Sequence, residues 1–89
     1  MKNGLEIDQH GDKVWYKNGK RHREDGPARE YANGNKVWYK NGKWHREDGP
    51  AVEENNGTYF EYWLDGKKLN FPTDIRLTKG QMELYITFM

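Results

Sequence analysis

The chain has 89 residues, of which 34% are hydrophobic and 33% charged, and its formal net charge is only +1. This length allows one small domain, and the interleaved charges exclude both a phosphate-binding face and an acidic mimic of DNA. The absence of cysteine excludes disulfides and thiolate metal sites, while an aromatic fraction of 15% argues against disorder.

A string of 18 residues occurs twice in the chain, with a spacing of 23 residues. Residues 13–30 and 36–53 are identical at 16 of the 18 positions. A repeat of that length is one supersecondary unit packed against a copy of itself. We therefore divide a single domain, 1–89, into an N-terminal partial repeat (1–12), two full repeats (13–35 and 36–58), a degenerate third repeat (59–72) and a C-terminal segment (73–89).

Each repeat is predicted to contain a β-hairpin closed by a two-residue turn. The turn residues are Asn18-Gly19, Asn41-Gly42 and Asp65-Gly66, which suit the positive φ angles of a type I′ turn. An aromatic strand precedes each turn and a polar strand follows it, ending in the first two repeats at an Asp-Gly-Pro corner. Because every connection is short, the predicted fold class is all-β, a single-layer antiparallel β-meander of hairpin repeats with a C-terminal capping segment.

Two-residue turns also predict which residues face each other across the first hairpin. Counted outward from the turn, the pairs are Lys17 with Lys20, Tyr16 with Arg21, Trp15 with His22, Val14 with Arg23, and Lys13 with Glu24. Strand alternation then places Trp15 and His22 on one face and Arg23 on the other.

The third repeat differs from the other two after its turn. It carries the largely apolar string 69–72 where they carry polar residues, so we expect it to find its packing partners in the C-terminal segment. In that segment Met82, Leu84, Ile86 and Phe88 fit strand alternation, and helical spacing fits equally well. The β-branched ending favours a strand that caps the sheet or offers an edge to a partner, with a short helix as the alternative.

The strings His22-Arg23-Glu24-Asp25 and His45-Arg46-Glu47-Asp48 are the residues that most resemble catalytic groups. Histidine and carboxylates can ligate a metal or transfer protons. Their recurrence in both full repeats favours a structural role instead, with the arginine paired to an acid on its own face and Asp25 accepting backbone N–H bonds at the Gly-Pro corner. We predict no catalytic residue, metal or cofactor, and we expect His22 and His45 to stack on tryptophans rather than bind zinc with His10.

The positions at which the two full repeats differ carry the strongest functional signal. Arg21 of the first repeat is replaced by Trp44 in the second, and Arg29 of the first is replaced by Val52. Tryptophan, tyrosine and arginine dominate the hot spots of protein interfaces. Trp44 and Arg21 are therefore predicted protein-binding residues, together with Tyr85 and Phe88 of the C-terminal segment. The alternative for Trp44 is burial by the third repeat.

The pattern W-Y-x-N-G-K-x-H-R-E-D-G-P-A-x-E, present at 15–30 and 38–53, resembles a MORN-like repeat. More narrowly, it is similar to the variant found in small proteins of tailed bacteriophages and large DNA viruses, and the resemblance covers roughly residues 11–70. It implies a non-enzymatic β-repeat protein of the cytoplasm, the host cytoplasm if the protein is viral. Related repeats act as protein- or lipid-binding modules, and the resemblance brings no catalytic residues.

No apolar run of the sequence approaches the ~20 residues of a membrane span, and residues 1–12 are polar, unlike a signal peptide. The absence of cysteine agrees with a reducing compartment. We therefore expect a soluble cytoplasmic protein with no membrane partner.

The leading functional hypothesis is a small interaction protein that binds a host protein, such as a component of a CRISPR-type defence system, and blocks it. A sheet edge is also expected to allow pairing of two copies into a homo-oligomer. The alternative is a nucleotide or nucleic-acid binder, although acidic residues follow each lysine cluster and make nucleic acid the weaker ligand. Its ligand-stacking residues would be Trp15, Trp38, Tyr16 and Tyr39, with Arg23 and Arg46 for phosphate. A metal-dependent hydrolase built on the His-Arg-Glu-Asp strings is the least favoured.

Overall fold

The structure is a computed structural model that describes residues 1–87 of the chain. These residues form eleven short strands, all paired antiparallel, and one helix, which confirms the predicted mainly β meander. In chain order the elements are β1 (Gly4–Ile7), β2 (Lys13–Lys17), β3 (Lys20–Arg21), β4 (Arg29–Glu30), β5 (Lys36–Val37), β6 (Tyr39–Lys40), β7 (Lys43–Trp44), β8 (Val52–Glu54), β9 (Tyr59–Glu61), β10 (Trp63–Leu64), β11 (Lys67–Lys68) and α1 (Lys79–Thr87). The main sheet has the order β1-β2-β4-β5-β8-β9 with β3 paired to β2, and β6–β7 and β10–β11 form two separate ribbons.

All three predicted turns close their hairpins with both central residues at positive φ. The angles are 51° and 78° in Asn18-Gly19, 52° and 82° in Asn41-Gly42, and 48° and 78° in Asp65-Gly66. This type I′ geometry matches the right-handed twist of the flanking strands. Asparagine, aspartate and glycine reach positive φ at low cost, so the turn residues determine where each hairpin folds.

In the two full repeats the aromatic strand changes its pairing partner at the tryptophan. Beyond the turn Tyr16 pairs with Arg21, as predicted, whereas Val14 pairs with Arg29 and not with Arg23. The predicted pairing of Lys13 with Glu24 is wrong for the same reason, because β4 rather than the end of the hairpin lies beside the start of β2.

Trp15 is the branch point of the first repeat. Its N–H donates to the carbonyl of Ala28 at 2.8 Å, and its carbonyl accepts the N–H of His22 at 3.0 Å. Between these two contacts residues 23–27 leave the sheet as a loop, since Pro27 has no N–H to give a ladder. The second repeat branches in the same way at Trp38.

The pleat gives the sheet two faces that differ in what covers them. The front face carries Tyr16 and Tyr39, and the back face carries Trp15, Trp38 and Tyr62. The loops of the two full repeats and the C-terminal segment lie on the back face. The front cluster consists of Val37, Tyr39 and Val52, flanked by Tyr31, Trp44 and Trp63, and Ala28, which strand alternation places on the back face, completes it.

The third repeat packs on the C-terminal segment, as its apolar sequence predicts. The back cluster joins the two parts of the chain and contains Phe60, Tyr62, Phe71, Leu77 and Met82. The Tyr62 hydroxyl fixes their relative position, because it donates to the carbonyl of Ile75 and accepts the N–H of Leu77, each at 2.8 Å. The edge of β9 is covered as well, since the N–H of Phe60 donates to the carbonyl of Thr73 at 2.8 Å.

The C-terminal segment forms the helix α1, so the preference for a strand is wrong. Thr78 and Gln81 make a capping box: the Gln81 N–H donates to Thr78 Oγ1 at 3.2 Å, and the Thr78 N–H donates to Gln81 Oε1 at 2.9 Å. Met82 then faces the back cluster one turn into the helix. Within residues 1–87 no helix is long and apolar enough to cross a membrane.

Candidate functional site

In each full repeat the arginine of the His-Arg-Glu-Asp string lies flat on a tryptophan. The guanidinium carbon of Arg23 is 3.9 Å from the centre of the Trp15 ring, and that of Arg46 is 3.9 Å from the centre of the Trp38 ring. The prediction that Arg23 and Trp15 occupy opposite faces is therefore wrong. The loop that follows His22 folds the arginine back over the same face, where its positive charge meets the electron-rich ring.

Hydrogen bonds fix each arginine within its own loop. Arg23 donates from Nε to Asp25 at 3.0 Å and from Nη1 to the carbonyl of Pro27 at 3.2 Å. Arg46 makes the equivalent bonds to Asp48 at 2.9 Å and to the carbonyl of Pro50 at 3.1 Å. Asp25 thus pairs with a guanidinium, whereas the sequence predicted that it would accept backbone N–H bonds.

The glycine of each Asp-Gly-Pro corner provides space for this arginine. A Cβ at Gly49 would lie 2.8 Å from the guanidinium carbon of Arg46, and one at Gly26 would lie 3.1 Å from that of Arg23. Neither glycine is among the residues with positive φ, so the absence of a side chain, rather than an unusual backbone angle, explains both.

The histidine of each full repeat binds the turn of the next repeat. His22 Nδ1 accepts the backbone N–H of Asn41 at 3.0 Å, and His45 Nδ1 accepts that of Asp65 at 2.9 Å. In the N-terminal partial repeat the Asn3 side chain does the same for the N–H of Asn18 at 2.9 Å. The expected stacking of histidine on tryptophan is wrong, because arginine occupies that position.

The Nδ1 contact requires each histidine to carry its ring proton on Nε2 when it is neutral. Nε2 of each ring faces a carboxylate. The distance from His22 Nε2 to Glu24 Oε1 is 3.4 Å, and that from His45 Nε2 to Glu47 Oε1 is 3.2 Å. The hydrogen bond with His22, together with the charge of Lys17, holds the pKa of Glu24 below its usual range. Every side chain of the two His-Arg-Glu-Asp strings therefore has an intramolecular partner.

The pKa values of Asp12 and Asp48 are also lowered, for structural reasons. The backbone N–H of Ala32 and the guanidinium of Arg29 lower the pKa of Asp12, and the guanidinium of Arg46 lowers the pKa of Asp48. A carboxylate whose pKa is lower in the folded state binds fewer protons there than in the unfolded chain. Its contribution to stability is present above its ordinary pKa and is lost as the pH falls through the folded-state value.

We therefore expect the carboxylates to make the melting temperature fall as the pH drops from 5 to 3, where those of the unfolded chain take up protons. Thermal unfolding followed by circular dichroism across this range checks the result. Asp12→Asn should make the decline shallower. A melting temperature that rises between pH 5 and pH 3 would contradict the assignment.

The histidines do not converge. Within the described part of the chain no group of three or more histidine, cysteine, aspartate or glutamate residues is placed to hold a metal ion. His10 is exposed in the loop before β2, away from the turn contacts of His22 and His45. A groove of about 720 Å³ lies between the loops of the two full repeats and is lined by both carboxylates and cations, among them Lys40 and Lys79. Its carboxylates, which are Glu24, Asp25, Glu47 and Asp48, already bind the histidines and arginines.

The residues predicted to stack on a ligand are divided between the two faces. Trp15 and Trp38 lie on the back face, and the guanidiniums that would have bound phosphate cover their rings. Tyr16 and Tyr39 lie on the front face, and Tyr39 is buried. These aromatic residues therefore do not form one continuous stacking platform.

A row of cations and aromatic rings crosses the front face from one hairpin to the next. We call it the front stripe: Lys2, Tyr16, Arg21, Tyr39, Trp44 and Trp63. At its first end Lys2 Nζ is 5.0 Å from the centre of the Tyr16 ring, and the guanidinium carbon of Arg21 is 5.4 Å from the centre of the Tyr39 ring. In the partial repeat Lys2 is equivalent to Arg21. The carbonyl of Lys2 accepts the N–H of Gly19 in the first turn, just as the carbonyl of Arg21 accepts the N–H of Gly42 in the second.

At the other end of the front stripe aromatic rings replace the cations. Trp44 meets Trp63 edge to face, with ring centres 4.8 Å apart, and approaches Tyr39 at 6.4 Å. Trp44 is half-buried by these contacts. The two alternatives considered for Trp44 are thus both partly realised, since one part of the ring packs in the front cluster and the rest faces solvent.

Arg21 differs from the other arginines of the described chain in having no carboxylate within ion-pair distance. The pairs of the others are Arg23 with Asp25, Arg29 with Asp12, Arg46 with Asp48, and Arg76 with Glu53. The guanidinium of Arg21 instead donates to the Tyr39 hydroxyl at 3.2 Å. Burial alone would lower its pKa, but the contacts with Tyr39 and Tyr16 outweigh burial and raise it, so Arg21 keeps its charge.

The other predicted protein-binding residues do not lie with Arg21 and Trp44. Tyr85 belongs to α1 on the back face, where its ring is 5.1 Å from that of Phe71 and 40% of the residue is exposed. Phe88 lies outside the described residues. Lys2 and Tyr62 were not predicted from the sequence. The only signals for them were the partial repeat at the N-terminus and the apolar string after the third turn.

Comparison of the chain with protein-family profiles, curated proteins and solved structures found no match.

Proposed function

We propose that the protein is a non-enzymatic binding module that recognises another protein through the front stripe. The observation that carries the proposal is the half-buried, unpaired guanidinium of Arg21 at the junction between the cationic and the aromatic ends of that stripe. Hot spots of protein interfaces are rich in arginine, tyrosine and tryptophan held in fixed positions. The hairpins provide such positions, because every turn is bound to the preceding repeat.

The charges of the front stripe indicate the chemistry of the partner. Arg21 can form a charge-assisted hydrogen bond with a carboxylate, and Trp44 lies next to it as an apolar contact. The partner surface is therefore one that presents an aspartate or glutamate beside an apolar side chain. The two positions at which the full repeats differ in sequence also favour this surface. The first is occupied by Arg21 or Trp44 and the second by Arg29 or Val52, and all four residues lie on the front face.

The resemblance to MORN-like repeats of phage proteins supports a narrower form of the proposal. In that form the partner is a protein of the bacterial host cytoplasm, such as a component of a defence system, and binding blocks it. The absence of any free catalytic group among the His-Arg-Glu-Asp strings favours inhibition by occupation of a surface over inhibition by chemistry.

A capture experiment with two matched charge reversals tests the proposal. Arg21→Glu reverses the charge at the front stripe, whereas Lys20→Glu makes the same change one residue away on the opposite face of β3. We expect a protein captured from host lysate by the wild type to be retained by Lys20→Glu and lost by Arg21→Glu, with the melting temperatures of both variants close to that of the wild type. Capture that is equal for the two variants, or no capture at all, would overturn the proposal.

A second candidate, a nucleotide ligand, is favoured by one observation. A groove of about 550 Å³ on the front face is lined by Lys2, Tyr16, Arg21 and Arg29, with Glu6 and Asp8 also contributing to its wall. Three cations beside a tyrosine ring suit a phosphate with a stacked base. A thermal-shift screen with cyclic nucleotides separates the two candidates: a shift that Arg21→Glu abolishes supports the ligand, and no shift with any nucleotide removes it.

A further inference from the structure

The two edge strands of the main sheet, β1 and β9, differ in whether other residues cover them. At one end β9 is covered, because Phe60 bonds to Thr73 and the back cluster packs against it. At the other end β1 is the outermost strand, and all of its residues, Gly4–Ile7, are exposed. An outer strand with unpaired backbone groups is a template for another strand unless something protects it.

The partial repeat lacks the loop that protects the full repeats. Glu6 pairs with Val14 of the following strand, just as Arg29 pairs with Val37 of the following strand. Glu6 is therefore equivalent to Arg29, and the residue before it, Leu5, is equivalent to Ala28 of the first full repeat. In that repeat residues 23–27 lie between His22 and Ala28 and cover the back face, and Ala28 is fully buried. Only Gly4 separates Asn3 from Leu5, which leaves 48% of Leu5 and 61% of Ile7 exposed.

We propose that β1 pairs antiparallel with β1 of a second copy of this chain, forming a two-fold symmetric dimer with one continuous sheet. The apolar side chains of this interface, Leu5 and Ile7, lie on the back face of β1, away from Arg21 and Trp44, and of the front stripe only Lys2 lies near the edge. A two-fold axis through an antiparallel pair gives an isologous interface, in which each contact occurs twice.

The sequence around β1 selects the register. With the axis at Leu5, the two Leu5 side chains face each other, and Lys2 lies opposite Asp8 of the partner subunit on both sides. With the axis at Glu6 two carboxylates would face each other, and with the axis at Ile7 Glu6 would face Asp8 of the partner subunit. Like charges directly opposite are destabilising and opposite charges are favourable, so the register centred on Leu5 is preferred.

The absence of cysteine from the chain allows a direct test by cross-linking. Directly opposed residues of an antiparallel pair have Cα atoms about 4.5–5.5 Å apart, within the range that a disulfide spans. Leu5→Cys should therefore form a disulfide-linked dimer at least about tenfold faster than Leu84→Cys, since pairing raises the local concentration of its thiols. Leu84 is an equally apolar control, 61% exposed, on α1.

The mass of the wild type in solution completes the test. Sedimentation should show a dimer whose population rises with concentration, and Leu5→Lys should shift it to monomer while Leu84→Lys does not, with melting of the monomeric fold unchanged in both. A wild type that stays monomeric throughout the concentration range, or equal cross-linking rates for Leu5→Cys and Leu84→Cys, would overturn the proposal.

Discussion

Replacing both His22 and His45 with alanine is expected to destabilise the fold by about 2–4 kcal/mol, since each change leaves a backbone N–H of the next turn without its acceptor. The two histidines are almost fully buried, with 8% and 10% of their side chains exposed, so alanine also removes packing between neighbouring hairpins. For a chain of this size the loss corresponds to a fall in melting temperature of roughly 10–30 °C. Denaturant or thermal unfolding followed by tryptophan fluorescence measures it.

Two variants separate this role of the histidines from a general effect of the substitution. His10→Ala removes an exposed histidine and should leave the melting temperature unchanged. His22→Asn should restore part of the stability, because the side chain of Asn3 already accepts the equivalent turn N–H in the partial repeat. An asparagine no better than alanine at position 22, or a His10→Ala as damaging as His45→Ala, would count against the assignment.

Replacing Phe71 with alanine should cost about 3–5 kcal/mol, the range for removing a buried aromatic ring from a core. Phe71 is 7% exposed, and its ring lies 5.2 Å from that of Tyr62 and 5.1 Å from that of Tyr85. It therefore joins the third repeat to α1, in the place where the full repeats have an arginine over their tryptophan. Loss of the helix signal at a lower denaturant concentration than in the wild type would show this directly.

Leu84→Ala is the matched control for this prediction, because 61% of Leu84 is exposed and little packing is lost. Its free energy of unfolding should stay within about 0.5 kcal/mol of the wild type. If Phe71→Ala and Leu84→Ala had equal effects, the C-terminal segment would not serve as the cap of the sheet.

The hairpins could be predicted because their determinants are local. Asn18-Gly19, Asn41-Gly42 and Asp65-Gly66 specify turns through backbone φ alone, and a two-residue turn fixes the nearest pairs on either side. The apolar string of the third repeat likewise pointed to the C-terminal segment, because buried apolar side chains require partners. These inferences depend on neighbours in sequence or on the simple need for burial.

The parts that could not be predicted depend on contacts between distant residues. If strand alternation is extended past His22, it places Arg23 on the face of the sheet that does not carry Trp15. Only the stacking of the Arg23 guanidinium on the Trp15 ring reverses that placement. The role of Gly26 is visible only once Arg23 occupies the space beside it. For α1, the Thr78–Gln81 capping box marks where the helix begins, whereas the β-branched residues near the chain end favour a strand.

The residues of the candidate site fall into two groups, those that recur in both full repeats and those that differ between them. Residues that recur in the full repeats bind one another or the next repeat, which explains why they recur. The front stripe combines recurring tyrosines with Arg21 and Trp44, the one pair on the stripe at which the repeats differ. The proposed binding surface thus has a repeated scaffold and, at Arg21 and Trp44, side chains that differ between the repeats.

Histidine rings join successive hairpins, and nitrogen NMR of the histidine side chains tests this claim most directly. At neutral pH His22 and His45 should each show a protonated Nε2 and an unprotonated Nδ1, and the amides of Asn41 and Asp65 should be protected from hydrogen exchange. His10, which lacks this contact, should show a mixture of tautomers. A proton on Nδ1 of His22 or His45, or rapid exchange of both turn amides, would contradict the claim.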